Sequence, residues 1–257
     1  MDARPRRAVS AVVALLAVTA LTAIGAATAG AETVYNNVPT PLPGNFASIG
    51  LEATSSSEFG GEIELAGTAR SKPTITVVMS SWACETGAVS AGCKTSAKSK
   101  GFKIPVTLKV YNVGELEEGP IAEKTKNVKM SYRPSSDPEK CDTETWYDAA
   151  DGHCYHGYAF PISIKVGMLK KMPKRSVITV SYPHSSGPAQ SLNVATSEPS
   201  EGTLSIGGQP VEEWFVNSTW SGMYCTGTPG SLGGEGGTCS TEAEGINYQP
   251  VFAVSAN

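Results

Sequence analysis

Gly101-Phe-Lys-Ile-Pro-Val-Thr-Leu-Lys-Val110 and Gly157-Tyr-Ala-Phe-Pro-Ile-Ser-Ile-Lys-Val166 share one written pattern, and together they decide the fold class. In the first, Phe102, Ile104, Val106, Leu108 and Val110 alternate with Lys103, Pro105, Thr107 and Lys109. In the second, Tyr158, Phe160, Ile162, Ile164 and Val166 alternate with Ala159, Pro161, Ser163 and Lys165. A period of two sends the apolar residues to one face, which is the pattern of a half-buried strand. A looser third copy is Tyr248-Gln-Pro-Val-Phe-Ala-Val254. Each copy follows a pair of cysteines. Each also carries a proline, which cannot donate to a ladder, so the pattern predicts edge or bulged strands there.

Ile75, Val77 and Met79 alternate in the same way, and further strands are expected around Ile63, Val128, Val180, Val194, Phe215 and Phe252. Between them stand turn signals such as Asn112-Val113-Gly114 and Gly207-Gly208-Gln209-Pro210. No amphipathic helix is legible beyond the N-terminal segment. About ten short strands with long loops predict an all-β, single-domain β-sandwich of jelly-roll type, with a barrel as the alternative.

The chain has 257 residues, a formal net charge of -4 and 17% charged residues. It is too apolar for a disordered chain, and without a basic excess it offers nucleic acid no electrostatic footing. Residues 1–31 read as a secretory signal. Arg4, Arg6 and Arg7 precede the apolar run Ala8 to Ala27, and Ala29-Gly30-Ala31 supplies small residues for cleavage. A membrane anchor is the alternative for this run. Signal removal leaves residues 32–257 slightly more acidic, with no further membrane-length run and no visible sorting signal, so a released, extracellular product is expected.

Cys84, Cys93, Cys141, Cys154, Cys225 and Cys239 form an even set in an exported chain. Nearest-neighbour pairing gives three local disulfides, each closing a loop of roughly ten to fifteen residues and restraining the unfolded chain by about 3 kcal/mol. A metal site is disfavoured, because no Cys-x2-Cys pair occurs.

The search for chemistry yields little. His153 and His156 flank Cys154 at a spacing that does not make a strand metal site, and His184 sits in a Ser-rich turn. Glu62 and Glu64 would share one strand face near the separation of glycosidase carboxylates, yet a solvated strand face is the favoured explanation of both. Asp137, Asp142, Asp148 and Asp151 fit no standard calcium loop. No catalytic residue, metal or cofactor is therefore assigned. Asn217-Ser218-Thr219 matches a glycosylation acceptor. Aromatic residues offer the strongest binding argument: Trp82, Trp146, Tyr147, Tyr155, Trp220 and Tyr224 lie in or beside the Cys loops. There they either stack on a sugar or protein partner or cap the ends of the core. The principal ligand candidates are Trp82, Trp146, Tyr147, Trp220 and Tyr224.

Glu58-Phe-Gly60, Leu65-Ala-Gly-Thr68, Met79-Ser-Ser-Trp82, Val110-Tyr-Asn-Val-Gly114, Arg133-Pro-Ser-Ser-Asp-Pro138, Cys154-Tyr-His-Gly-Tyr-Ala-Phe160 and Ser191-Leu-Asn-Val194 resemble a family of uncharacterised secreted bacterial proteins. Some members carry cell-wall or exosortase-type sorting tails. The resemblance spans roughly Thr33 to Val254. It implies an extracellular β-rich protein and brings no activity and no catalytic residue. Three functional expectations follow: a non-catalytic binder of an envelope glycan or protein, a jelly-roll carbohydrate hydrolase, or a structural exoprotein.

Overall fold

The computed structural model describes residues 30–141, 144–167, 169–184, 187–197, 204–209, 214–218, 232 and 249–257. Its strands are β1 (Glu32–Asn36), β2 (Ser48–Gly50), β3 (Ser56–Glu64), β4 (Thr74–Ser81), β5 (Thr86–Ala88), β6 (Ala91–Lys94), β7 (Gly101–Asn112) and β8 (Ala122–Ser131). They continue with β9 (Trp146–Asp148), β10 (His153–Tyr155), β11 (Tyr158–Lys165), β12 (Arg175–Ser181), β13 (Leu192–Ser197), β14 (Trp214–Ser218), β15 (Gln249–Pro250) and β16 (Phe252–Ala256). Two short 3-10 turns, Leu116–Glu118 and Gly187–Ser191, are the only helical pieces among the described residues. The all-β expectation holds.

Two large antiparallel sheets make up the body. One runs β14-β3-β12-β7-β8. The other is built around β4, which pairs along its whole length with β11 on one side. On its other side β4 is shared. β16 takes Thr74 to Val77, β13 takes Met79 to Ser81, and Val78 N–H donates to Val251 O at 3.0 Å between them. β1 closes onto β16, and β2 and β15 onto β13. This branched order does not establish the expected jelly-roll topology. The strands also outnumber the expected ten, because β2, β5, β6, β9, β10 and β15 have two to four residues each, too few to show alternation.

The inner faces share one apolar cluster, drawing Phe59, Val106, Leu108, Ile178 and Val180 from one sheet and Val77, Met79, Ile162, Val194 and Phe252 from the other. Each fully buried side chain of this kind stabilises the fold by about 1.5–3 kcal/mol relative to exposure.

The prolines sit where a missing N–H is harmless. Among the described residues β11 pairs only with β4, so it is an edge strand. Pro161 lies opposite Val78. Val78 directs its N–H away from β11, so Pro161 is in a pair without ladder bonds and its nitrogen faces the open edge. Pro105 corrects the expectation of an edge or bulged strand: it lies in interior β7, opposite Asn127 in an unbulged ladder, but β12 does not reach past Thr107. The Tyr132 N–H bonds to Lys100 O, and two-residue alternation from that pair turns the Pro105 nitrogen to the side that β12 leaves uncovered.

Candidate functional site

Two of the three expected disulfides are present, Cys84–Cys93 and Cys141–Cys154. Cys225 and Cys239 lie outside the described residues, as do Trp220 and Tyr224. The first bridge closes off the β5–β6 hairpin. The second ties the segment before β9 to β10 of the β9–β10 hairpin.

The stretch from Tyr132 to Asp137 laces these hairpins together. Arg133 N–H donates to Ala83 O at 2.9 Å, and Ser136 N–H to Cys93 O at 3.0 Å. Thr95 donates its N–H to Ser135 Oγ at 2.9 Å and its hydroxyl to Arg133 O at 2.7 Å. Toward the second hairpin, Asp137 N–H reaches Thr145 O at 2.9 Å. The Arg133 side chain is wholly buried. Its Nη2 donates to Glu144 O at 2.7 Å and to Ser136 Oγ at 3.0 Å, and its Nε to Pro134 O at 3.3 Å. Nη1 has no partner among the described residues. Burial pulls the guanidinium below its ordinary pKa, partly offset by the Glu144 carboxylate. A planar fork with several donors is suited to binding loop carbonyls in this way.

Beside the β9–β10 hairpin lies a cavity of about 510 Å³. Its aromatic walls are Tyr132, Trp146, Tyr147 and Tyr158, and Leu42, Pro43 and Pro134 add apolar surface. Lys98, Asp148, Thr95 and Ser135 supply polar groups. A second hollow of about 660 Å³ lies beside it and shares Thr95 and Ser135 with the first. Its lining includes Glu85, Thr86, Lys94, Ser96 and Ser136. The Glu85 carboxylate accepts from Ser96 Oγ at 2.6 Å and Ser96 N–H at 2.7 Å, and these bonds hold its pKa below the usual range.

The structure divides the expected aromatic ligands. Trp146 is 6% exposed, and its indole N–H donates to Gly157 O at 2.6 Å. Its ring lies 5.7 Å from Tyr155 and 5.6 Å, edge-on, from Tyr158. Trp146 therefore caps the core and forms a fixed wall. Tyr147 is half-buried, with the Lys140 ammonium 4.8 Å from its ring centre. Trp82 is not part of this wall. It stacks on His156 at 5.6 Å, with the rings 8° from parallel. Tyr132 and Tyr158 enter the cavity unannounced by the cysteine-centred reading. Tyr132 is fixed by Phe102, 5.3 Å away.

The carboxylate pair is corrected. Glu62 is 2% exposed, so the solvated-face reading fails for it. Its Oε1 accepts from Arg175 Nε at 2.7 Å and Nη2 at 2.5 Å. Glu64 pairs with Lys174 at 2.6 Å, which holds its carboxyl below the usual range, the opposite of what a general acid needs. On the same face Glu58 is buried too. It accepts from Thr179 Oγ1 at 2.8 Å and Tyr111 Oη at 3.2 Å, with Lys109 Nζ at 3.2 Å. Val177, Val113, Leu116 and Leu232 pack around Tyr111 and make this outer face a second, small core.

Other polar candidates also have local partners. Asp151 receives the Tyr155 hydroxyl at 2.7 Å and the His153 N–H at 2.9 Å. These bonds hold its pKa down, while burial and the Asp151 carboxylate push Tyr155 up to about 12. His153 is exposed 3.5 Å from Asp151, and His184 packs edge-on against Tyr182. No cluster of three metal-ligating side chains occurs among the described residues, and Asp142 lies outside them. Asn217 is in β14, while Thr219 lies outside the described residues.

Searches against family models, curated proteins and solved structures return no match. The functional reading therefore stands on the chain's own geometry.

Proposed function

We propose that this is a secreted, non-catalytic protein with a β-sandwich body that binds a cell-envelope glycan in the aromatic cavity beside its disulfide-tied β9–β10 hairpin. The observation that carries the reading is the convergence of Tyr132, Trp146, Tyr147 and Tyr158 around one hollow with Lys98, Asp148, Thr95 and Ser135. Aromatic faces stack on the C–H faces of sugar rings, and a few placed polar groups select among hydroxyl patterns. A volume of about 510 Å³ falls in the range of small-ligand sites. Disulfides and the lack of a membrane-length helix among the described residues are compatible with export. The resemblance to secreted bacterial proteins points the same way.

The test is a glycan array of envelope oligosaccharides, probed with wild type and Tyr147→Ala. Tyr147 is the better probe than Trp146, whose removal would open the core. The reading expects at least one oligosaccharide to bind and Tyr147→Ala to lose about tenfold or more, the scale of one stacking contact. Absence of binding across the array would favour a structural exoprotein.

A further inference from the structure

We propose that the Cys141–Cys154 bridge is a thiol-exchange site, open to external dithiol reductants, and that it controls the wall of the aromatic cavity. The two observed bridges differ in access. Cys93 is 1% exposed, and Cys84 is only partly exposed. Cys154 is exposed and Cys141 partly so. Exchange requires a thiolate to reach a sulfur in line with the bond, so access separates the two bridges kinetically. Lys140 precedes Cys141 and keeps its ammonium on this side, 4.8 Å from the Tyr147 ring centre and 3.8 Å from Asp137 Oδ2.

The exchange proceeds in two displacements. A dithiol attacks Cys154 Sγ as its monothiolate. A mixed disulfide forms on Cys154, the S–S bond to Cys141 breaks, and the Cys141 thiolate takes a proton from solvent. The second thiol of the reductant then displaces Cys154, which leaves as a thiolate and is protonated in turn. The bridge gains two electrons, and the reductant is oxidised to its own disulfide.

The consequence is local. Cys154 lies opposite Tyr147 in the β9–β10 register, beside the wall residues Trp146 and Asp148. Breaking the bridge detaches the segment ending at Cys141 from β10. The Arg133 bond to Glu144 O and the Asp137 bond to Thr145 O still hold the start of β9. The hairpin loosens while the body stays folded.

The test treats the full mature chain with graded dithiothreitol under native conditions, alkylates the freed thiols and maps them by peptide mass spectrometry. In parallel, hydrogen exchange compares β9–β10 with β4 and β7. The expected result is alkylation of Cys141 and Cys154 at least about tenfold faster than of Cys84 and Cys93, with faster exchange in the hairpin and unchanged exchange in the two core strands. Opening of Cys84–Cys93 as fast or faster would overturn the proposal. So would selective opening that leaves hairpin exchange unchanged or exposes the core strands. The assay needs no glycan, so its failure is distinct from failure of the binding reading.

Discussion

Trp146 and Tyr147 are neighbours in sequence and opposites in role. Alternation along β9 sends one ring to the core and the other toward the Lys140 ammonium. For Tyr147→Ala we expect loss of sugar affinity with a stability change within about 1 kcal/mol, because the side chain is half-exposed. Chemical denaturation alongside binding checks this. Arg133→Met tests the lacing residue. It removes the donor to Glu144 O, Pro134 O and Ser136 Oγ, all partly buried, and should cost about 1–3 kcal/mol in urea unfolding. The clustering of aromatics near cysteines was legible in the sequence. Which ring is buried was not, because that depends on the Gly157 carbonyl, which the fold of the hairpin brings to Trp146. Glu62 misled for a related reason: alternation assigns it to the outer face, but the Arg175 pairing and its burial there arise from tertiary packing.

At the scale of the element, proline was the informative residue. The pattern marked an edge strand at Pro161 but not at Pro105, which lies in interior, unbulged β7 where only the end of β12 leaves its nitrogen uncovered. β8 protects the other sheet differently. Lys124 and Lys126 lie opposite the core residues Leu108 and Val106 yet remain exposed, so charge occupies the inward side of an edge strand. Pro161→Val should restore an N–H donor on the open edge of β11. We expect concentration-dependent self-association by light scattering, with little change in monomer stability. Long alternating strands such as β7 and β11 were readable, because eight or more residues display a period. The branching of β4 was not, since a strand's sequence does not state that two different partners share one of its edges.

For the whole molecule, two sheets and one shared core set how it responds to pH and reduction. Tyr182 is buried with its hydroxyl on Leu192 O at 2.5 Å, and burial raises its pKa. Tyr35 is raised by burial, and Tyr111 by burial together with the Glu58 carboxylate. These tyrosines bind their protons more tightly folded than unfolded. Their stabilisation is complete below the ordinary tyrosine pKa of about 10 and is lost as pH rises toward the raised folded values. A spectrophotometric titration should show them, with Tyr155, failing to ionise near pH 10, and thermal stability should decline above that pH. The central claim, that the hairpin end is a sugar-binding site on an all-β body, is tested most directly by amide chemical-shift mapping with soluble peptidoglycan glycan fragments. The account predicts saturable shifts confined to Thr95, Lys98, Tyr132, Ser135 and Tyr147 to Ala150. Shifts absent from these positions, or centred on another face, would contradict it.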